Sequence, residues 1–159
     1  MPSEIQNVLD KHEQQRPLSC FQSAVEMVLK LNSILSEGDY PEQSIKANDG
    51  CGYEPFAGKK KRYGRFEVSF EEIKFDPLGD AIKKGRELLE EDIYPIYSFM
   101  LPDRSGYHGF VGFKNEMDDI SFFTKAQLGP CAAHRFNLLE IIIPQTKTEI
   151  LLVRFSGVP

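Results

Sequence analysis

Residues 13–30 read EQQRPLSCFQSAVEMVLK. A glutamine-rich polar stretch is broken by Pro17, and an apolar helix begins just beyond it. Ser19 is a favoured N-cap, and Gln22 three residues on completes an S-x-x-Q capping box. Phe21, Ala24, Val25, Val28, Leu29 and Leu31 recur near helical spacing, with Glu26 and Lys30 on the other face. That periodicity puts Cys20 on the first turn. A helix start offers unpaired N–H groups and a partial positive charge, which favour a thiolate over a thiol. The same N–H groups can hold the oxyanion formed when sulfur attacks a carbonyl.

The rest of the composition bounds what such a cysteine can belong to. A chain of 159 residues suits one domain, residues 1–159, with a sizeable core. Hydrophobic residues make up 41% and charged residues 27%, the balance of a globular protein. The net charge of −5 excludes a general polyanion binder, so no nucleic-acid partner is expected. Cys20, Cys51 and Cys131 are an odd, sparse set without metal-ligand or redox spacing, which argues against a disulfide framework and for a reducing compartment. The first residues, MPSEIQNVLDKHEQQ, are polar, and no stretch approaches membrane-span length. A cytoplasmic protein with no membrane contact is expected; a substrate of a leaderless secretion machine has the same composition.

Downstream, residues 36–65 form a long Gly-, Pro- and Asn-containing connection without clear periodicity. FEVSFEEIKF (66–75) alternates as a strand does. DPLGDAIKKGRELLEED then reads as a helix, capped by Asp76, with Pro77 at its first position and Leu78, Ala81, Ile82, Leu88 and Leu89 as its buried stripe. IYPIYSFML (93–101), YHGFVGF (107–113) and ISFFTKA (120–126) read as strands, the last two joined by a KNEMDD turn. FNLLEIII and EILLVRF, separated by PQTKT, read as a closing hairpin. Early helices and a late, largely antiparallel sheet define an α+β fold.

A nucleophilic thiol needs a base, usually histidine. His12 lies in the N-terminal segment and His134 in CAAHRF; His108 opens a strand in SGYHGFVGF, where a rigid scaffold aims a side chain well. Read from the residues alone, Cys20 with His108 is one reading. A buried structural cysteine and a strand histidine with no catalytic part is the other.

The order of these pieces resembles the papain-like cysteine peptidases, closest to the branch that removes double-glycine leaders from bacteriocin precursors. Gln14 stands six residues before Cys20, and the helix runs on as CFQSAVEMVLK. RELLEEDIYPIYSF is similar to the family's helix, turn and buried strand; GYHGFVGF and ISFFTKA follow in the family's order. The likeness touches residues 14–31 and about 85–126. It implies a papain-like fold in which the Cys20 helix packs on an antiparallel sheet. It also implies Cys20 as nucleophile, His108 as base, and Gln14 (or its neighbour Gln15) as an oxyanion donor. No cofactor and no metal are implied, and the partner is a peptide or protein substrate.

Three departures stand out. Phe21 replaces the glycine that usually follows the nucleophile, which would narrow the cleft or mark a different substrate. The glycine usually about six residues after the histidine appears as Gly112, four residues after it. The Asp or Asn that orients the imidazole falls, by count, on Thr124, which accepts a hydrogen bond but carries no charge. Asn115, Asp118 and Asp119 lie in the turn, too far along the strand.

The remaining features are weaker. GKKKRYGR (58–65) is a basic run with an interleaved tyrosine, and reads as a solvated loop more readily than as an anion site. Cys51 sits among turn formers, and Cys131 with His134 lacks a second ligand pair for zinc. Asp103, Arg104 and Tyr107 suit the rim of a cleft and are equally ordinary loop residues. The expected function is thiol-dependent hydrolysis of a peptide or amide bond. The alternative is a non-catalytic module of the same fold that holds a peptide or partner in the old cleft.

Overall fold

The computed structural model describes residues 4–12, 20–42, 56–75, 78–100, 107–124, 135–137 and 148–157. Three helices, α1 (Glu4–Lys11), α2 (Cys20–Leu31) and α3 (Leu78–Glu90), accompany seven strands. The strands are β1 (Lys60–Tyr63), β2 (Phe66–Phe75), β3 (Ile96–Met100), β4 (Tyr107–Lys114), β5 (Ile120–Phe123), β6 (Arg135–Asn137) and β7 (Thr148–Gly157). They form one antiparallel sheet in the order β1-β2-β7-β3-β4-β5-β6. The fold is α+β, with an open antiparallel sheet. No helix among the described residues is long and apolar enough to cross a membrane.

Alternation along the strands builds a core on each face of this sheet. Val68, Phe70, Ile96, Val111, Phe113, Leu151 and Val153 face one way and meet Phe21, Ala24, Val25, Met27, Val28 and Leu29 of α2, with Leu9 of α1. Tyr97, Phe110, Phe122 and Ile150 face the other way and meet Ala81, Ile82 and Leu89 of α3. Of the stripe expected on α3, Ala81, Ile82, Leu88 and Leu89 are buried, while the side chain of Leu78 lies outside those described. On α2 the expectation fails: every residue from Phe21 to Lys30 is buried, including Glu26 and Lys30. The polar face expected for these two residues is covered. α1 and the 33–42 segment cover that face, so the helix has no solvent side there.

Both long helices end without glycine. Ser33 and Asp92 take left-handed backbone angles (φ 59° and 57°), and Ile34 and Ile93 donate back to the Leu29 and Leu88 carbonyls at 2.9 Å each. At the end of α2, Ile34 also packs against the core, the usual companion of this ending. The expected caps Ser19, Asp76 and Pro77 lie outside the described residues.

Two connections differ from expectation. The 36–65 stretch contains β1, and the basic run becomes a β1–β2 hairpin at one edge of the sheet, not a loop. Lys60 reaches Glu67 and Lys61 reaches Glu42, while the charged edge discourages pairing with another chain. β7 does not fold back on its predecessor as a simple hairpin. It pairs with β2 over its whole length and with β3 across Glu149–Leu151. Of the expected partner FNLLEIII, all but the first two residues lie outside the described residues.

Candidate functional site

α2 begins at Cys20, and its first turn holds no acidic residue to oppose the positive helix end. The next residue, Phe21, is buried and lies directly on β4. A Cβ placed on Gly109 would stand 3.1–3.3 Å from the Phe21 ring and Cα. A side chain there would press on the helix start more tightly than an ordinary contact, so the helix would have to shift by a few tenths of an ångström. The bulk that the family's pattern lacks after the cysteine is thus matched by missing bulk after the histidine. Phe21 fills core between α2 and β4, so it is not a wall narrowing a cleft.

His108 is the second residue of β4 and pairs with Phe99 of β3. Cys20 and His108 each precede one member of the Phe21–Gly109 contact in the chain, so both backbones lie toward the same end of the α2–β4 interface. In register, position 108 alternates with Gly109, Val111 and Phe113, and shares the parity of Phe110 and Gly112. Gly112 explains itself locally. Its N–H donates to the Pro95 carbonyl at 2.8 Å, and a Cβ there would collide with the Pro95 ring.

Thr124 is buried just past β5. Val111 pairs with Phe123, so one step further Thr124 comes level with Phe110, two residues beyond His108. Asn115, Asp118 and Asp119 are turn residues at the opposite end of β4, roughly 20 Å from His108 at the strand rise. Asn115 stitches that turn: its Oδ1 accepts the Met117 and Asp119 N–H groups, and its Nδ2 donates to Ser121. Asp119 receives Arg86 at 2.9 Å, which holds its carboxyl below the usual range. Gln14, Gln15, Cys51, Asp103, Arg104, Cys131 and His134 lie outside the described residues.

Gln22 Oε1 and Ser23 Oγ, in the first turn of α2, are buried with no hydrogen-bond partner among the described residues. Ser23 carries no signal in the sequence; Gln22 is expected there as half of a capping box with Ser19, which lies outside the described residues.

Sequence reasoning passed over a buried polar network behind α2. Lys30 Nζ lies 3.0 Å from His12 Nδ1 and donates to the Glu37 carbonyl at 2.8 Å, with its ammonium 3.8 Å from the centre of the Tyr40 ring. His12 Nε2 stands 3.7 Å from Glu26 Oε1, while Glu26 Oε2 accepts the Glu42 N–H at 2.9 Å. Glu42 receives Lys61 at 2.6 Å and the Tyr63 hydroxyl at 3.1 Å. Burial, reinforced by Glu42, pushes ionisation of the Tyr63 phenol well above its ordinary range. The only local signal was Glu26 and Lys30 four apart on one helix, which reads as a surface pair. Their true partners are distant in sequence. No group of three His, Cys, Asp or Glu among the described residues is arranged to hold a metal ion.

Comparison with family models, curated proteins and solved structures returns no match. Any assignment of chemistry therefore stands on the residues themselves.

Proposed function

We propose that the chain is a papain-like thiol hydrolase acting on a peptide or amide bond. The observation that carries this reading is the Phe21–Gly109 contact, because it brings a cysteine-led helix start to the histidine end of β4. Cys20 is the nucleophile. His108 takes its proton, and the thiolate sulfur adds to the carbonyl carbon to give an oxyanion. The Cys20 backbone N–H and the Gln14 amide stabilise that oxyanion. As it collapses the C–N bond breaks, and His108 returns the proton to the departing nitrogen. Water, deprotonated by the same imidazole, then cleaves the thioester. The helix end favours the thiolate, and nothing acidic in the first turn opposes it.

A second reading keeps the fold and drops the chemistry, leaving a module that holds a peptide segment. Two observations favour it: position 108 alternates with the residues that meet α2, and Thr124 is not level with it. Iodoacetamide labelling against pH, read by peptide mass spectrometry, separates the two. Rapid Cys20 labelling below pH 6 that is lost in His108→Ala supports the hydrolase. Labelling no faster than that of an ordinary thiol, whose pKa is about 8.5, leaves the binding module.

A further inference from the structure

We propose that the hollow between the 34–41 segment and the β1–β2 hairpin docks an extended, proline-containing segment of another protein. That segment carries an acidic residue at one end and a basic residue at the other. The hollow measures about 780 Å³, within the roughly 300–1,000 Å³ of ligand pockets. Ile34, Leu35, Tyr40, Pro41 and Tyr63 supply its apolar lining. Its charged residues are Arg62 on the hairpin side and Asp39 on the other.

The two sides are tied together from within, because the Lys61 ammonium and the Tyr63 hydroxyl both donate to Glu42, at 2.6 and 3.1 Å. Ile34 and Leu35 pack against the core. The Tyr40 ring is held against the His12 ring, with centres 5.1 Å apart. Arg62 is fixed at one point only: its Nε donates to the Gly64 carbonyl at 3.1 Å, where the hairpin turns through a left-handed glycine (φ 58°). Its two terminal nitrogens have no partner among the described residues, which leaves a planar fork for a carboxylate. Asp39 is fixed in the same manner. Its N–H donates to the Ser36 carbonyl and its Oδ2 accepts the Ser36 N–H at 3.2 Å, while Oδ1 has no partner among the described residues. The neighbouring charges are turned elsewhere: Lys60 to Glu67, Lys61 to Glu42 and Glu37 to Lys11, with Arg65 over the Phe66 ring.

This arrangement selects its occupant by charge. A nucleic acid or an acidic membrane surface would meet Asp39 with like charge, and a polycation would meet Arg62. A segment with one carboxylate and one cation, separated by apolar residues, satisfies both sides at once. Two tyrosines and a proline along the lining suit prolyl residues, whose extended conformation is already formed before binding. Ile34 lies just past the end of α2, whereas Cys20 begins it. The twelve residues of α2 span about 18 Å, so the hollow is separate from the candidate site and its occupancy does not depend on the hydrolase reading.

Fluorescence anisotropy on the whole chain tests the proposal with three labelled heptapeptides. They share a centre of alternating leucine and proline and differ only in their end residues: lysine with glutamate, two glutamates, or two lysines. The mixed peptide is expected to bind at least tenfold more tightly than either of the others. Arg62 and Asp39 are exposed, so their substitution leaves the core intact. Arg62→Glu is expected to transfer the preference to the two-lysine peptide, and Asp39→Lys to the two-glutamate peptide. In the native chain, the mixed peptide is expected to move the amide resonances of residues 34–41 and 62–64. Failure of the mixed peptide to bind at millimolar concentration overturns the proposal. Equal binding of all three peptides, a preference that neither variant moves, or resonance changes confined to other residues also overturn it. Cys20 labelling reports separately on the dyad, so failure of one reading is not failure of the other.

Discussion

α2 and α3 lie on opposite faces of the same sheet and are of similar length, yet they are stabilised differently. α3 is a half-buried helix. Ala81, Ile82, Leu88 and Leu89 face the sheet while Lys83, Arg86, Glu87 and Glu90 meet water. Residues 21–30 of α2 are buried on all sides, and Glu26 and Lys30 are met by His12 and by groups of the 33–42 segment. The difference teaches that a polar residue on a helix reports exposure only if nothing packs over it. For α3, solvent does the work of solvating charge. For α2 the protein must do it, with every partner in place.

The sharpest way to break this contrast is to remove one member of each kind. Glu26→Ala leaves the Glu42 N–H and the buried His12 ring without the carboxylate that faces them, and is expected to cost about 3 kcal/mol or more in urea unfolding. Glu87→Ala on the exposed face of α3 is expected to change stability by less than about 0.5 kcal/mol. If the two cost the same, α2 is not sealed as described.

α3 has one tight point of its own. A Cβ on Gly85 would run into the Tyr97 hydroxyl, which donates to the Ala81 carbonyl at 2.8 Å. Gly85→Ala should therefore lose about 1–3 kcal/mol through overpacking, against the gain expected from replacing a helix glycine. An unchanged midpoint would mean that Tyr97 has another place to go.

Alkaline titration compares the two faces directly, since each buries a tyrosine. Burial raises Tyr97 on the α3 side, and burial together with Glu42 raises Tyr63 on the α2 side. A phenol held neutral by the fold loses its proton first in the unfolded chain. The stability it lends is thus full below about pH 10 and is lost as pH rises beyond it. Absorbance near 295 nm should show these two of the six tyrosines titrating only with unfolding. Tyr63→Phe should soften the alkaline loss. Ionisation of all six before unfolding would contradict both burials.

The helix ends predict a smaller effect of opposite sign. Asp92→Gly and Ser33→Gly relieve a left-handed conformation that non-glycine residues adopt at a cost, and each is expected to add up to about 1 kcal/mol. Smallest of all, Arg86→Ala breaks the exposed pair with Asp119 and should cost under about 1 kcal/mol, diminishing further with salt.

How much was legible follows the same division. α3, the alternation of β2 and the β4–β5 hairpin were read correctly because their signals are local: a period, a turn, a stripe. α1 was missed although Ile5, Val8 and Leu9 have helical spacing, since eight residues give barely two turns of pattern. The sealing of α2 was invisible because His12, Glu42 and Lys61 come from other segments. β7 between β2 and β3 was unreadable for a related reason, as pairing across such separations leaves no mark on either strand alone. At the candidate site, the helix led by Cys20 and the strand carrying His108 were both legible. The exchange of bulk between Phe21 and Gly109 was not: each residue looks anomalous until the two are seen together.

The position of β7 also bears on how the molecule forms. Its neighbours are made early, and Phe66 must wait for Gly157 while Phe75 waits for Thr148. During synthesis β2 emerges with one long edge unmatched, and β3 follows with no β7 beside it. The middle of the sheet closes last, and only by bringing together chain segments more than seventy residues apart, an arrangement associated with slow folding. Until then the half-made sheet offers hydrophobic edge strand to any neighbour, the kind of exposed edge through which partly folded chains associate.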